Sequence, residues 1–167
     1  ARRAGAGHWS GHRVQVSFSD PLTAGTSATP APLDDELFGD SLAAGFAVIS
    51  ARPSAVRPRL ERMGDVTAVE ALASRHAHDG RVGELRIGRG SRPTIVLGEP
   101  DAWLSSPTLL SSIRERSAVV FHDCSVAEFR SLARTRELPP PQDSPHNTVI
   151  AVGPDGHLHR ALLPSGA

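Results

Sequence analysis

Phe46 to Ser50 (FAVIS) is an almost unbroken apolar run. Pro53 to Met63 (PSAVRPRLERM) then places Ala55, Val56, Leu60 and Met63 along one face of a helix. Pro53 suits the first turn, and Pro58 should disturb the start. Two further runs, Pro93 to Glu99 (PTIVLGE) and Ser117 to Cys124 (SAVVFHDC), read as buried strands. Each precedes a helical pattern. After the first, Trp103, Leu104, Leu109, Leu110 and Ile113 form an apolar side that Pro107 breaks into two pieces. After the second, Ser125 and Glu128 have capping-box spacing, and Val126, Phe129, Leu132 and Ala133 mark the stripe of a helix that PPPQDSP stops. DVTAVEAL reads as a strand or a strand-to-helix passage, and GELRI as a short strand. NTVIAVGPDGHLHRALL reads as a hairpin turning at Gly153 to Gly156.

Strands alternating with helices predict an α/β fold: a three-layer RecA-like or Rossmann-like sandwich, mostly parallel, with a C-terminal antiparallel hairpin. Upstream, His12 to Phe18 (HRVQVSF) alternates as a strand. Residues 19 to 45 are rich in Pro, Ala, Gly, Ser, Thr and Asp, and read as a linker. The expected division is residues 1–20, a linker over 21–45, and a domain over 46–167.

Composition narrows the chemistry. The 167 residues suit about one domain, and the core must rest on aliphatic side chains because aromatics are only 4%. Eighteen basic residues balance eighteen acidic ones, so there is no global charge footprint for nucleic acid, although a local basic patch is still allowed. Every basic residue is Arg. Without Lys there is no phosphate-loop lysine, Schiff-base lysine or lysine base. One Cys excludes an internal disulfide and a cysteine-based zinc cluster, which suits a reducing cytoplasm. No apolar run approaches the roughly 18 to 20 residues of a membrane span. The opening ARRAGAGHW has no Met and reads as part of a longer protein.

The stretch TIVLGEPDAWLSS, continuing through LLSSIRERSAVVFHDCSVAEFRSLARTRELPPP to VIAVGPDGHLHRALL, resembles the C-terminal end of actinobacterial FtsK/SpoIIIE-type translocases. EccC of type VII secretion is a relative of that family. GAGHWSGHRVQVSF is similar to the closing hairpin of such an ATPase domain. The resemblance implies that residues 1–20 end a preceding ATPase domain and that residues 46–167 are a final, degenerate RecA-like one.

On this resemblance Ala51, Arg52, Pro53, Ser54, Ala55, Val56 and Arg57 occupy the phosphate-loop position. A working loop needs glycines for the backbone wrap, a Lys on the phosphates and a Ser/Thr on Mg²⁺. None of that set is present. Thr94 to Glu99 matches the Walker B strand, with Gly98 where the Mg²⁺-binding Asp belongs and with Glu99 and Asp101 nearby. Ser117 to Cys124 matches the next, sensor strand. Arg130, Arg134 and Arg136 match a helix that can supply arginines at a subunit boundary. The implied domain has no catalytic residues, metal or cofactor of its own, while ATP and Mg²⁺ belong to the parent chain. Implied partners are neighbouring ATPase domains, a homo-oligomer such as a hexamer, and DNA or a secreted peptide. The implied compartment is cytoplasmic, with a parent that can be membrane-anchored.

Other constellations compete with that reading. Arg52 and Arg57 at a helix start can hold an anion or simply face water. His122, Asp123 and Cys124 offer a Cys–His pair at a strand end, against a buried small thiol. Glu99 and Asp101 can bind a metal, or polarise a loop with Asp101 as N-cap. His76/His78 and His157/His159 have strand-type spacing for a metal, against solvent-facing positions. Arg130 and Arg134, at i and i+4, can contact a neighbour or make a solvated helix face. A stand-alone binding module and a small enzyme using His122, Asp123 or Cys124 are the competing functions.

Overall fold

The computed structural model describes residues 5–9, 12–16, 30–33, 45–79, 92–135 and 147–164. Strands β1 (Gly5–Trp9) and β2 (His12–Val16) pair antiparallel as a two-stranded sheet. The main sheet is built from β3 (Ala31–Pro32), β4 (Phe46–Ser50), β5 (Asp65–Ala68), β6 (Thr94–Gly98), β7 (Val119–His122), β8 (Thr148–Val152) and β9 (Leu158–Leu162). The helices are α1 (Pro53–Met63), α2 (Val69–Asp79), α3 (Pro100–Leu104), α4 (Pro107–Arg114) and α5 (Val126–Ala133).

The strand order is β3-β9-β8-β7-β4-β6-β5. β7, β4, β6 and β5 are mutually parallel, β8 runs antiparallel between β7 and β9, and β3 is parallel to β9. The fold is therefore α/β, with a mixed, mostly parallel sheet. Numbered along the chain from β4, the parallel strands stand in the order 2-3-1-4. That is neither the flavodoxin-like order nor the dinucleotide-binding order, in which the first strand lies beside the second. The Rossmann-like form of the expectation is thus corrected by the position of β6, which stands between β5 and β4.

Alternation along the strands splits the core into two layers. Phe46, Val48, Ile95, Leu97, Val120 and Ala151 point to one face, where Val56 and Leu60 of α1 meet them. Ala47, Ile49, Val96, Val119, Phe121 and Ile150 point to the other, covered by α2, α3, α4 and α5 through Val69, Trp103, Leu110, Ile113, Phe129 and Leu132. The central strands are buried on both faces, which explains their unbroken apolar sequences.

Local signals set the boundaries. α1 starts at Pro53, whose missing N–H costs nothing in the first turn, and runs through Pro58 without a break. α5 has the full capping box: Glu128 N–H donates to Ser125 Oγ at 3.2 Å, and Ser125 N–H donates to Glu128 Oε2 at 2.7 Å. The β8–β9 hairpin turns through Gly156 at φ 80°, a left-handed position that Gly fills without strain.

Four expectations change. Ala31–Pro32 pairs with β9 and Leu33 is 3% exposed, so part of the 21–45 linker belongs to the sheet. α5 stops at Ala133 because Arg134 turns left-handed at φ 51°. Leu104 and Val126, expected in apolar stripes, are 47% and 48% exposed because each stands at a helix end, past the packed face. His76 and His78 lie on α2 and not on a strand, so the strand-type spacing expected of them does not apply. GELRI lies outside the described residues.

Candidate functional site at the carboxyl ends of β4, β6 and β7

Because β4, β6 and β7 are parallel, their carboxyl ends and following turns emerge together. Ile49 stands level with Gly98, and Ser50 with His122. After β4 the chain enters α1 on one face, whereas after β6 and β7 it enters helices on the other. Chains parting to opposite faces at neighbouring strand ends create the crevice where open α/β sheets bind ligands. The sequence-predicted phosphate-loop and Walker B positions both lie at this edge.

Here the crevice is closed by the chain itself. Arg52 Nε donates to Asp123 Oδ2 at 2.5 Å, tying the turn after β4 to the turn after β7. Asp123 reaches this position from a left-handed backbone, φ 54°. Beneath the pair, the buried Ser50 hydroxyl and His122 Nδ1 share a 2.9 Å hydrogen bond. The same hydroxyl accepts the Arg52 N–H at 3.1 Å. Polar groups buried at these strand ends thereby satisfy one another.

The backbone donors of the loop are used in the same way. Ala51 N–H donates to His122 O at 3.4 Å, and Ala55 N–H to Arg52 O at 3.1 Å. Arg52 N–H is held by Ser50, and Pro53 has no N–H. Four of the five backbone positions from 51 to 55 are therefore closed to a phosphate, which a nest of free N–H groups would cradle. Arg57 pairs loosely with Glu61 at 3.7 Å. Ser54 and Ala55 are exposed, and Val56 is buried on the inner face of α1.

The β6 side is filled by packing. A Cβ on Gly98 would meet Val69 Cγ1 at 2.4 Å and Trp103 Nε1 at 3.1 Å. Gly98, expected from the resemblance to stand at the Mg²⁺-binding position, thus has no room for any side chain without movement. Trp103 is fully buried, and its indole N–H donates to Val48 O at 3.1 Å. Glu99 is exposed and is the N-cap of α3, without a side-chain cap bond; Asp101 lies inside the first turn and not at the N-cap. Among the described residues neither carboxylate shares a hydrogen bond or ion pair with the Arg52–Asp123 cluster.

The Cys–His alternative is also answered by geometry. Cys124 Sγ donates to Ile49 O at 3.4 Å and to His122 O at 3.5 Å, while His122 Nδ1 faces Ser50. Burial pushes the thiol up to about 12, with the Glu128 and Asp123 charges acting in the same direction. Such a thiol stays protonated at neutral pH and is a poor nucleophile.

The remaining candidates disperse. Arg130 is exposed on α5, and Arg134 sits at the left-handed C-cap, so the two do not continue one helical face as expected. Arg114 donates to Leu132 O, which supplies a donor to the last turn of α5. Burial, then the nearby Arg134 charge, holds the Arg114 guanidinium below its ordinary value. Arg136 lies outside the described residues. His157 belongs to the β8–β9 turn and His159 to β9. Among the described residues no group of three or more His, Cys, Asp or Glu could hold a metal, and no helix is long and apolar enough to cross a membrane.

Sequence reasoning placed the loop, Gly98 and the FHDC stretch, but missed what joins them. Ser50 and His122 each end an apolar run with one polar residue, and that shared pattern is the only trace of their pairing. No family model, curated protein or solved structure matches this chain.

Proposed function

We propose that the chain carries a non-catalytic, degenerate RecA-like terminal domain of an FtsK/SpoIIIE-type translocase. Its task is docking, regulation or assembly beside domains that hydrolyse ATP. The observation that carries the reading is the filled crevice. The strand–turn–helix frame from Phe46 to Met63 stands at the carboxyl edge of the sheet, yet four of the five backbone positions from 51 to 55 offer no free donor. Gly98, opposite it, is packed by Val69 and Trp103. In support of the reading, the strands beginning at Phe46, Thr94 and Val119 are neighbours in the middle of the sheet, with β4 between the other two. The β1–β2 hairpin fits the role of closing a preceding domain, since a lone two-stranded hairpin is marginal in water.

On this reading ATP and Mg²⁺ act in the parent chain and not here, and the neighbours are ATPase domains of a hexamer. The parent's cargo on this reading is DNA or an exported protein. The competing functions are a stand-alone α/β binding module and a substrate-recognition domain of type VII secretion. The coding sequence upstream of residue 1 discriminates them. An in-frame domain with an intact Gly-rich, Lys-containing phosphate loop and an acidic Walker B strand is expected; a start codon directly before Ala1 would sink the translocase reading.

A further inference from the structure

The outer edge of β9 is a strand-accepting surface. Ala31 and Pro32 lie parallel to Ala161 and Leu162, Leu33 N–H donates to Leu162 O at 2.9 Å, and Leu33 is buried in the α1-side core layer. Among the described residues of this segment, two pair with β9. On the outer side of Leu158, His159 and Arg160 no described strand continues the sheet.

The sequence of this strap, Pro30-Ala31-Pro32-Leu33, explains its form. In an extended strand, N–H groups two residues apart point the same way. Leu33 directs its N–H at β9, so Ala31 does as well, while positions 30 and 32 direct theirs outward. Both outward positions are Pro and carry no donor. The strap can complete the sheet but cannot extend it, which is how edge strands avoid open-ended pairing. Proline also restricts the free segment to extended backbone, so little ordering entropy is lost on docking. One apolar anchor and one short stretch of main-chain bonding is the arrangement of strand-addition peptide recognition.

We propose that the β9 edge is a releasable docking site for the Pro30–Leu33 segment, filled here within the chain and open to exchange with the same segment of a second copy. Nothing in this depends on the translocase reading. The cis segment is tethered, so it competes with an effective concentration on the order of millimolar. Exchange therefore follows where copies are held close together or where the cis strap is disabled.

The test uses the full chain. Isotope-labelled Leu33→Asp chain, with its own strap disabled, is titrated with unlabelled unaltered chain and, separately, with unlabelled Leu33→Asp chain. The amide resonances of Ala161 to Leu163 are expected to move with the first and to stay with the second. A peptide of residues 28–36 should move the same resonances, binding Leu33→Asp at least ~10-fold more tightly than the unaltered chain. If Leu33→Asp loses its dispersed spectrum, Leu33→Ala replaces it in the same experiment. A folded variant whose β9 amides respond to neither donor, or equally to both, overturns the proposal.

Discussion

At the scale of single residues, Gly98 decides more than any charged group. Its place beside Val69 and Trp103 leaves no space for a Cβ, so the residue is held by packing and no larger side chain enters there without cost. Gly98→Ala is expected to lower stability by about 1–3 kcal/mol, the usual cost of forcing an extra group into a packed site. Denaturant titration measures it, and an unchanged midpoint would show that the site yields freely. Arg52–Asp123 is a different kind of contact. At 52% and 29% side-chain exposure it is screened by water, and pairs of this kind contribute about 1 kcal/mol or less. Its effect is to fill space over the crevice more than to hold the fold. Cys124 gives the pH-dependent prediction. Its ordinary value of 9.0 is raised to about 12, so thiol alkylation at pH 7 to 8 should be far slower than for a free cysteine. Folding is linked with a definite sign. Below pH 9 the thiol is protonated in both states and has no effect. Between about pH 9 and 12 the unfolded chain ionises first, so stability falls as pH rises through that window.

At the scale of elements, the capping box of α5 is the clearest local specification. Both of its bonds are formed, and Ser125→Ala should cost about 1 kcal/mol, within the 0.5–2 kcal/mol range of such caps. A thermal midpoint unchanged within error would show that packing of Phe129 and Leu132 alone holds the helix. Most elements were legible because their causes are local. FAVIS, TIVLG and VVFH announce buried strands by apolar runs, Pro53 announces a helix start, and Pro107 announces the break between α3 and α4. β3 was hidden for the opposite reason: two residues among prolines carry no period, and their pairing is made by β9, far along the chain. The early end of α5 was hidden because Arg134, unlike Gly, does not advertise a left-handed turn.

At the scale of the whole molecule, strand order and the site's closure depend on contacts that no window of sequence contains. Arg52 and Asp123 are 71 residues apart, Ser50 and His122 are 72 apart, and Val48 and Trp103 are 55 apart. The missing phosphate-loop chemistry could be read directly from the absence of Lys and loop glycines. That Gly98 is packed against Val69 and Trp103 could not, because Trp103 reads simply as an apolar helix residue. The central proposal is that this domain holds no working nucleotide site. Calorimetric titration of the chain with ATP and Mg²⁺, followed by assay of released phosphate, tests it most directly. The account predicts no saturable binding up to roughly millimolar nucleotide, about −4 kcal/mol on the affinity scale, and no phosphate above background. Saturable binding at micromolar nucleotide with turnover would contradict it.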